Sequence, residues 1–150
     1  MNAVSVWNIK KWDKRYLDLA KLVSTWSKDP STQTGAVIAS PNNRVIALGF
    51  NGFPPGVDDD YRLKDRSQKY EIIVHCEVNA ILTAARPLDN HTLYTYPFLS
   101  CSRCASIVIQ SGITDVIAPK NTIERWEDNL KISRGLFKEA GVEVWEVDYQ

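Results

Sequence analysis

Two short segments constrain this chain more than anything else in it: His75-Cys76-Glu77 and Cys101-Ser102-Arg103-Cys104. One imidazole and two thiols supply three of the four donors from which Zn²⁺ builds its preferred tetrahedron. A fold that uses them together must bring both segments to one point. Structural zinc sites are closed by four protein ligands, whereas catalytic sites leave one position to water or substrate. Glu77, two residues past His75, would place a carboxylate beside such an open position, which is the arrangement of metal-assisted hydrolysis.

The surrounding sequence reads as alternating helices and strands. Residues 10–27 set Trp12, Tyr16, Leu19, Ala20, Val23 and Trp26 on one helical stripe, ended by Asp29-Pro30-Ser31. Residues 35–39 and 45–48 read as paired strands across the turn at 40–44. Residues 51–60 are too rich in Gly, Pro and Asp for regular structure, and the polar stretch 58–70 extends them into a long loop. Helices are expected over 75–85, 102–110 and 124–140, and strands over 92–96, 115–118 and 142–147. The last helix turns Trp126, Leu130, Phe137 and Ala140 inward and closes at Gly141. The expected fold is one α/β domain over residues 1–150: a central mixed sheet covered by helices on both faces, a three-layer α/β/α sandwich.

Charge narrows the partners. With 18 basic and 18 acidic residues the chain has no net charge, and it lacks the basic stripe that nucleic-acid recognition calls for. No nucleic-acid partner is expected. No apolar run approaches the roughly 18 residues of a membrane span, and the opening residues 1–12 lack the apolar core of a signal peptide. The expectation is a cytoplasmic protein without membrane contact. Three cysteines, two of them spaced C-x-x-C, favour metal or redox chemistry over a disulfide framework.

Helix starts at His75 and at Cys101/Cys104 suit thiolate ligands, because the unpaired N–H groups and positive dipole end there lower a thiol's pKa. Two plainer readings compete. A lone C-x-x-C also suits a redox pair. A closed structural site needs a fourth donor, for which only Cys76 and His91 remain. Cys76 points about 100° away from its neighbour on a helix and reads as a small buried hydrophobe. His91 follows a turn-like stretch and reads as a surface histidine.

The runs His75-Cys76-Glu77-Val78-Asn79-Ala80-Ile81 and Pro97-Phe98-Leu99-Ser100-Cys101-Ser102-Arg103-Cys104-Ala105 resemble the H-x-E and P-C-x-x-C signature of the zinc-dependent cytidine/deoxycytidylate deaminases. Residues 28–38, 49–54 and 111–113 are similar, in order and spacing, to the dCMP deaminase branch of that family. The resemblance implies a cytidine-deaminase-like fold, one Zn²⁺ on His75, Cys101 and Cys104, and hydrolysis of dCMP to dUMP and ammonia. Glu77 would carry the water proton to N3 of cytosine and then to the departing amine. The resemblance also implies Asn51 at the sugar or pocket wall and Arg86 at the phosphate, with Lys28 as a weaker candidate. A planar base needs an aromatic wall, for which Tyr96 and Trp126 are candidates. The segment Gly49-Phe50-Asn51-Gly52-Phe53-Pro54 is, in that family, an allosteric site at which dCTP activates and dTTP inhibits, usually in a homohexamer. Mg²⁺ would accompany the triphosphate.

One departure stands out. Ser100 occupies the place of the proline that usually precedes the first cysteine, and a serine there is suited to capping the helix that follows. Two other functions fit the same motifs: deamination of another base, free or in a polynucleotide, and a non-catalytic zinc-stabilised nucleotide-binding module. Glu77 argues against the module, which has no use for a carboxylate beside an open metal position.

Overall fold

The computed structural model describes residues 2–4 and 9–149; residues 1, 5–8 and 150, and with them much of the opening segment, lie outside the described residues. Six strands form one mixed sheet: β1 (Asn2–Val4), β2 (Gly35–Ala39), β3 (Val45–Phe50), β4 (Thr92–Tyr96), β5 (Asp115–Pro119) and β6 (Glu143–Val147). Their order is β1-β6-β5-β4-β2-β3. β4, β5, β6 and β1 run parallel, while β2 is antiparallel to both β4 and β3. The hairpin expected at 35–48 and the strands expected beyond it are all present. β1, which pairs with β6 through Ala3 opposite Glu146, was not anticipated.

The sheet is buried on both faces because its strands alternate with period two. Ala36, Ile38, Leu93, Val116 and Val144 join one core, which also holds Ala80, Val108, Leu130 and Phe137 from the helices α3 (Cys76–Ala84), α4 (Ser102–Gln110) and α5 (Glu124–Ala140). Val37, Ala39, Tyr94, Ile117 and Val147 face the other way and pack with Tyr16, Leu17 and Ala20 of α1 (Lys11–Ser24). The result is the expected three-layer sandwich, with α1 on one face and α3, α4 and α5 on the other.

Details of the sequence reading need correction. In α1 the buried side chains are Tyr16, Leu17, Ala20, Val23 and Ser24, whereas Trp12 and Trp26 lie exposed at the two ends of the stripe. In α5 Leu130, Ser133 and Phe137 are buried, Trp126 is half-buried and Ala140 faces solvent. Gly141 closes α5 with φ 79°, in the left-handed conformation expected of it. The stretch 58–70 is not a loop. It holds a short 3₁₀ turn, Tyr61–Lys64, and the helix α2 (Arg66–Ile72). α2 starts at Asp65, whose carboxylate accepts from the Gln68 backbone N–H and from its side-chain amide. Asp65 is thus an N-cap whose two oxygens both hold Gln68.

α3 sits directly on β3. A Cβ at Gly49 would overlap the Cys76 carbonyl oxygen and the Ala80 backbone, so only glycine lets the helix approach this closely. Asn79 of α3 donates to the Phe50 carbonyl at 2.7 Å and fixes the helix along the strand.

Candidate metal centre and catalytic cleft

Both metal-binding segments end an extended backbone and begin a helix. His75 is the residue before α3 (φ −73°, ψ 157°) and Cys101 the residue before α4 (φ −66°, ψ 168°), and neither turns its side chain back to cap its helix. Those side chains are thereby free to project forward. The job expected of Ser100 falls to α5: Asn129 Oδ1 accepts from the Ser102 backbone N–H at 2.9 Å, and its Nδ2 donates to Ser102 Oγ at 3.0 Å. Ser100 Oγ is buried and has no partner among the described residues.

The three donors converge. His75 Nδ1 lies 3.1 Å from Cys104 Sγ and 3.5 Å from Cys101 Sγ, and all three ligand atoms are within 4.8 Å of one another. Tetrahedral Zn²⁺ with ordinary N and S bond lengths has N···S edges of about 3.5 Å, so the cluster fits a zinc ion as it stands. Hydrogen bonding from Cys104 holds Cys101 well below the ordinary thiol range, and the same contact pushes Cys104 up. The hydrogen bond to Cys101 raises the His75 imidazole. A divalent cation here would be held by two thiolates and a neutral imidazole.

No fourth His, Cys, Asp or Glu donor joins the cluster among the described residues. Cys76 is packed into the core beside the site, where burial pushes its thiol far above the ordinary range. His91 is not the surface residue expected: it is buried, its Nδ1 donates to the Asp89 carbonyl at 2.8 Å, and its Nε2 therefore accepts from Arg86 at 3.1 Å.

Glu77, in the first turn of α3, is buried, and Oε1 accepts a long hydrogen bond from the Cys76 thiol at 3.6 Å. It lines the same cleft as His75 and Cys101, which is partly open to solvent. Of the substrate residues expected from sequence, Asn51 and Trp126 line this cleft. Trp126 faces Tyr70 edge-on, with centroids 6.4 Å apart, and lies at the same separation from Phe98.

Arg86, Lys28 and Tyr96 are not part of the cleft wall. Arg86 lies past the C-terminal end of α3, the end opposite His75, and its guanidinium is turned to His91. Lys28 is exposed and paired with Asp59 at 3.1 Å. Tyr96 packs edge-on against Tyr149. The cations that do line the cleft are Arg66, Lys69 and Arg125. Two of them belong to α2, the helix that polar composition disguised, and the D-x-x-Q pattern of Asp65 and Gln68 is the signal that reveals it.

In the segment 49–54, Gly49 supports α3, Phe50 is half-exposed against the edge of Trp26, Gly52 pairs with Val74, and Phe53 lies under Arg62. Asn51 is buried and joins this segment to the cleft.

The sequence model of the cytidine and deoxycytidylate deaminase zinc-binding region matches residues 10–120, which span the hairpin, both ligand segments and Glu77. The chain belongs to that family. As a zinc-dependent deaminase it is 45% identical over 139 residues to an uncharacterized deaminase of Aliivibrio fischeri, with 91% of this chain and 93% of that one aligned. It is 34% identical to the deoxycytidylate deaminase of Mus musculus, covering 88% of this deaminase and 77% of the mouse protein. A dCMP deaminase of the cyanophage S-TIM5, solved in complex with dCMP and dUMP, superposes with a TM-score of 0.76 at 26% identity, over 93% of this chain and 99% of the phage chain.

Proposed function

We propose that this deaminase hydrolyses dCMP to dUMP and ammonia, with His75, Cys101 and Cys104 holding Zn²⁺ and Glu77 moving the protons. The observation that carries this reading is the three-donor centre with a buried carboxylate in the same cleft. When bound, the zinc supplies Lewis acidity that makes water a nucleophile near neutral pH. Glu77 accepts a proton from the attacking water and delivers it to N3 of cytosine, which leaves C4 electrophilic. A second transfer, from the new C4 hydroxyl through Glu77 to the exocyclic amine, breaks the C4–N bond and releases ammonia. Burial of Glu77 keeps bulk water from competing for that proton. Trp126, Phe98 and Tyr70 supply the aromatic surface for the base.

The phosphate is read by Arg66 and Arg125 rather than by Arg86 or Lys28. Both line the cleft, and neither has an acidic partner among the described residues. Arg66 is steadied by the Tyr70 hydroxyl at 3.0 Å and Arg125 by the Thr32 hydroxyl at 3.1 Å, which leaves most of each guanidinium fork for phosphate oxygens. Ammonia release from dCMP, dCTP, deoxycytidine and cytidine tests the reading, and dCMP is expected to be the best substrate by kcat/KM. Arg125→Ala is expected to lower kcat/KM for dCMP roughly tenfold or more and to leave deoxycytidine unchanged. Equal losses on both substrates remove the phosphate role, and wild-type inactivity on dCMP removes the function.

Regulation belongs to the same proposal: dCTP, with Mg²⁺, activates and dTTP inhibits through residues 49–54 of a homohexamer inside the cell. The support is the half-exposed Phe50 on a segment that runs directly into the buried Asn51. Coupling of this kind requires the effector to bind two states with different affinity. The dCMP saturation curve is expected to be sigmoidal alone and hyperbolic with dCTP. Superimposable curves with and without either triphosphate defeat the regulatory proposal.

A further inference from the structure

A buried ammonium stands on the cleft wall. Lys69 Nζ donates to Asp29 Oδ1 at 3.0 Å and to Ser31 Oγ at 2.8 Å, with both side chains of the ion pair more than nine-tenths buried. Both Asp29 oxygens are engaged: Oδ1 also accepts from the Ser31 backbone N–H at 2.8 Å, and Oδ2 accepts from Asn51 Nδ2 at 3.2 Å. Lys69 and Asn51 are thus fixed on the two oxygens of one carboxylate.

Counting donors and acceptors shows what this wall can still bind. An ammonium has three N–H donors, and Lys69 uses two of them on protein acceptors among the described residues. Both N–H groups of the Asn51 amide are taken, one by Asp29 Oδ2 and the other by the Thr32 carbonyl at 2.9 Å. Its Oδ1 accepts from the Thr34 backbone N–H at 2.9 Å, which leaves one lone pair. Both residues line the cleft. Lys69 therefore keeps one charged donor and Asn51 one acceptor lone pair, and both residues are tied to the same Asp29 carboxylate.

A group that both donates and accepts completes such a pair, and a hydroxyl does so with a single oxygen. A 2′-deoxynucleoside 5′-monophosphate carries one free hydroxyl, at the 3′ position. We infer that Lys69 is a specificity-determining residue that donates a hydrogen bond to the 3′ hydroxyl of the substrate sugar, while that hydroxyl donates to Asn51. This rests on the dCMP reading above. It also gives the buried ion pair a purpose, since such a pair by itself is weak support for stability. Asp29 holds the ammonium and the amide at a set separation, and the sugar is measured against them.

The test crosses a residue with a substrate atom. Wild-type enzyme is compared with Lys69→Met on dCMP and on 2′,3′-dideoxycytidine 5′-monophosphate. For the wild type, kcat/KM is expected to fall roughly ten- to hundredfold when the 3′ hydroxyl is absent, the range for losing hydrogen bonds to a charged group. In Lys69→Met the two nucleotides should differ by only a few-fold, because the charged donor is gone. A variant that keeps the full wild-type preference for the hydroxyl, however slow it is, assigns Lys69 a structural role and overturns the inference. The wild-type comparison stands even if Lys69→Met does not fold: equal turnover of both nucleotides means no hydroxyl is read here. That outcome leaves dCMP deamination intact, whereas wild-type inactivity on both nucleotides removes the parent function and this inference with it.

Discussion

Glu77→Gln is expected to lower kcat for dCMP by about 10²–10⁴-fold, the usual contribution of a positioned general acid–base, while the protein retains one zinc per chain. The separation of effects follows from the geometry. Glu77 lines the cleft but is not one of the three clustered donors, so the amide keeps the shape of the site and removes only the group that moves protons. Stability should not fall, because Glu77 has no ion-pair partner among the described residues and the amide is neutral. Metal analysis by atomic emission, ammonia release and a thermal melt check the three parts. A zinc-replete variant with wild-type turnover excludes Glu77 from the chemistry.

Cys104→Ser is expected to lose zinc, activity and heat resistance together. Cys104 sits one turn into α4 while His75 precedes α3, so the ion ties the starts of two helices that otherwise meet through packing. A ligand present at a thousand times its Kd stabilises the native state by about 4 kcal/mol. For a chain of this length that corresponds to a Tm lower by roughly ten degrees. Wild-type protein stripped by a chelator should melt close to the variant, whereas Cys76→Ala, which spares the cluster, should keep its zinc. A Cys104→Ser protein that binds zinc as tightly as wild type contradicts the three-donor assignment.

The sheet, α4 and α5 were legible in the sequence because each has a local cause: period-two burial in the strands, helical spacing of Leu130 and Phe137, and a left-handed glycine at 141. The metal cluster was legible for a different reason, since its donor types and spacing carry chemistry that survives ignorance of the fold. The far end of the cleft was not legible. It is closed by α2, whose position depends on Lys69 reaching Asp29, 40 residues away in the chain, and no pattern within α2 announces that partner. Arg86 suggests itself through the family spacing from His75, a distance along the chain. Arg66, Lys69 and Arg125 reach the cleft through tertiary closure instead. His91 misled for the converse reason: its turn-like neighbours say nothing of the Arg86 and Asp89 groups that satisfy both ring nitrogens in the interior.

The bare contact between Gly49 and α3 makes the helix bearing His75 and Glu77 rest backbone to backbone on the strand beneath it, with no compressible side chain between them. A displacement of β3 by a few tenths of an ångström would therefore reach the imidazole and the acid almost undiminished. Under the regulatory proposal, a molecule pressing on Phe50 at the end of that strand would act on the site through this contact.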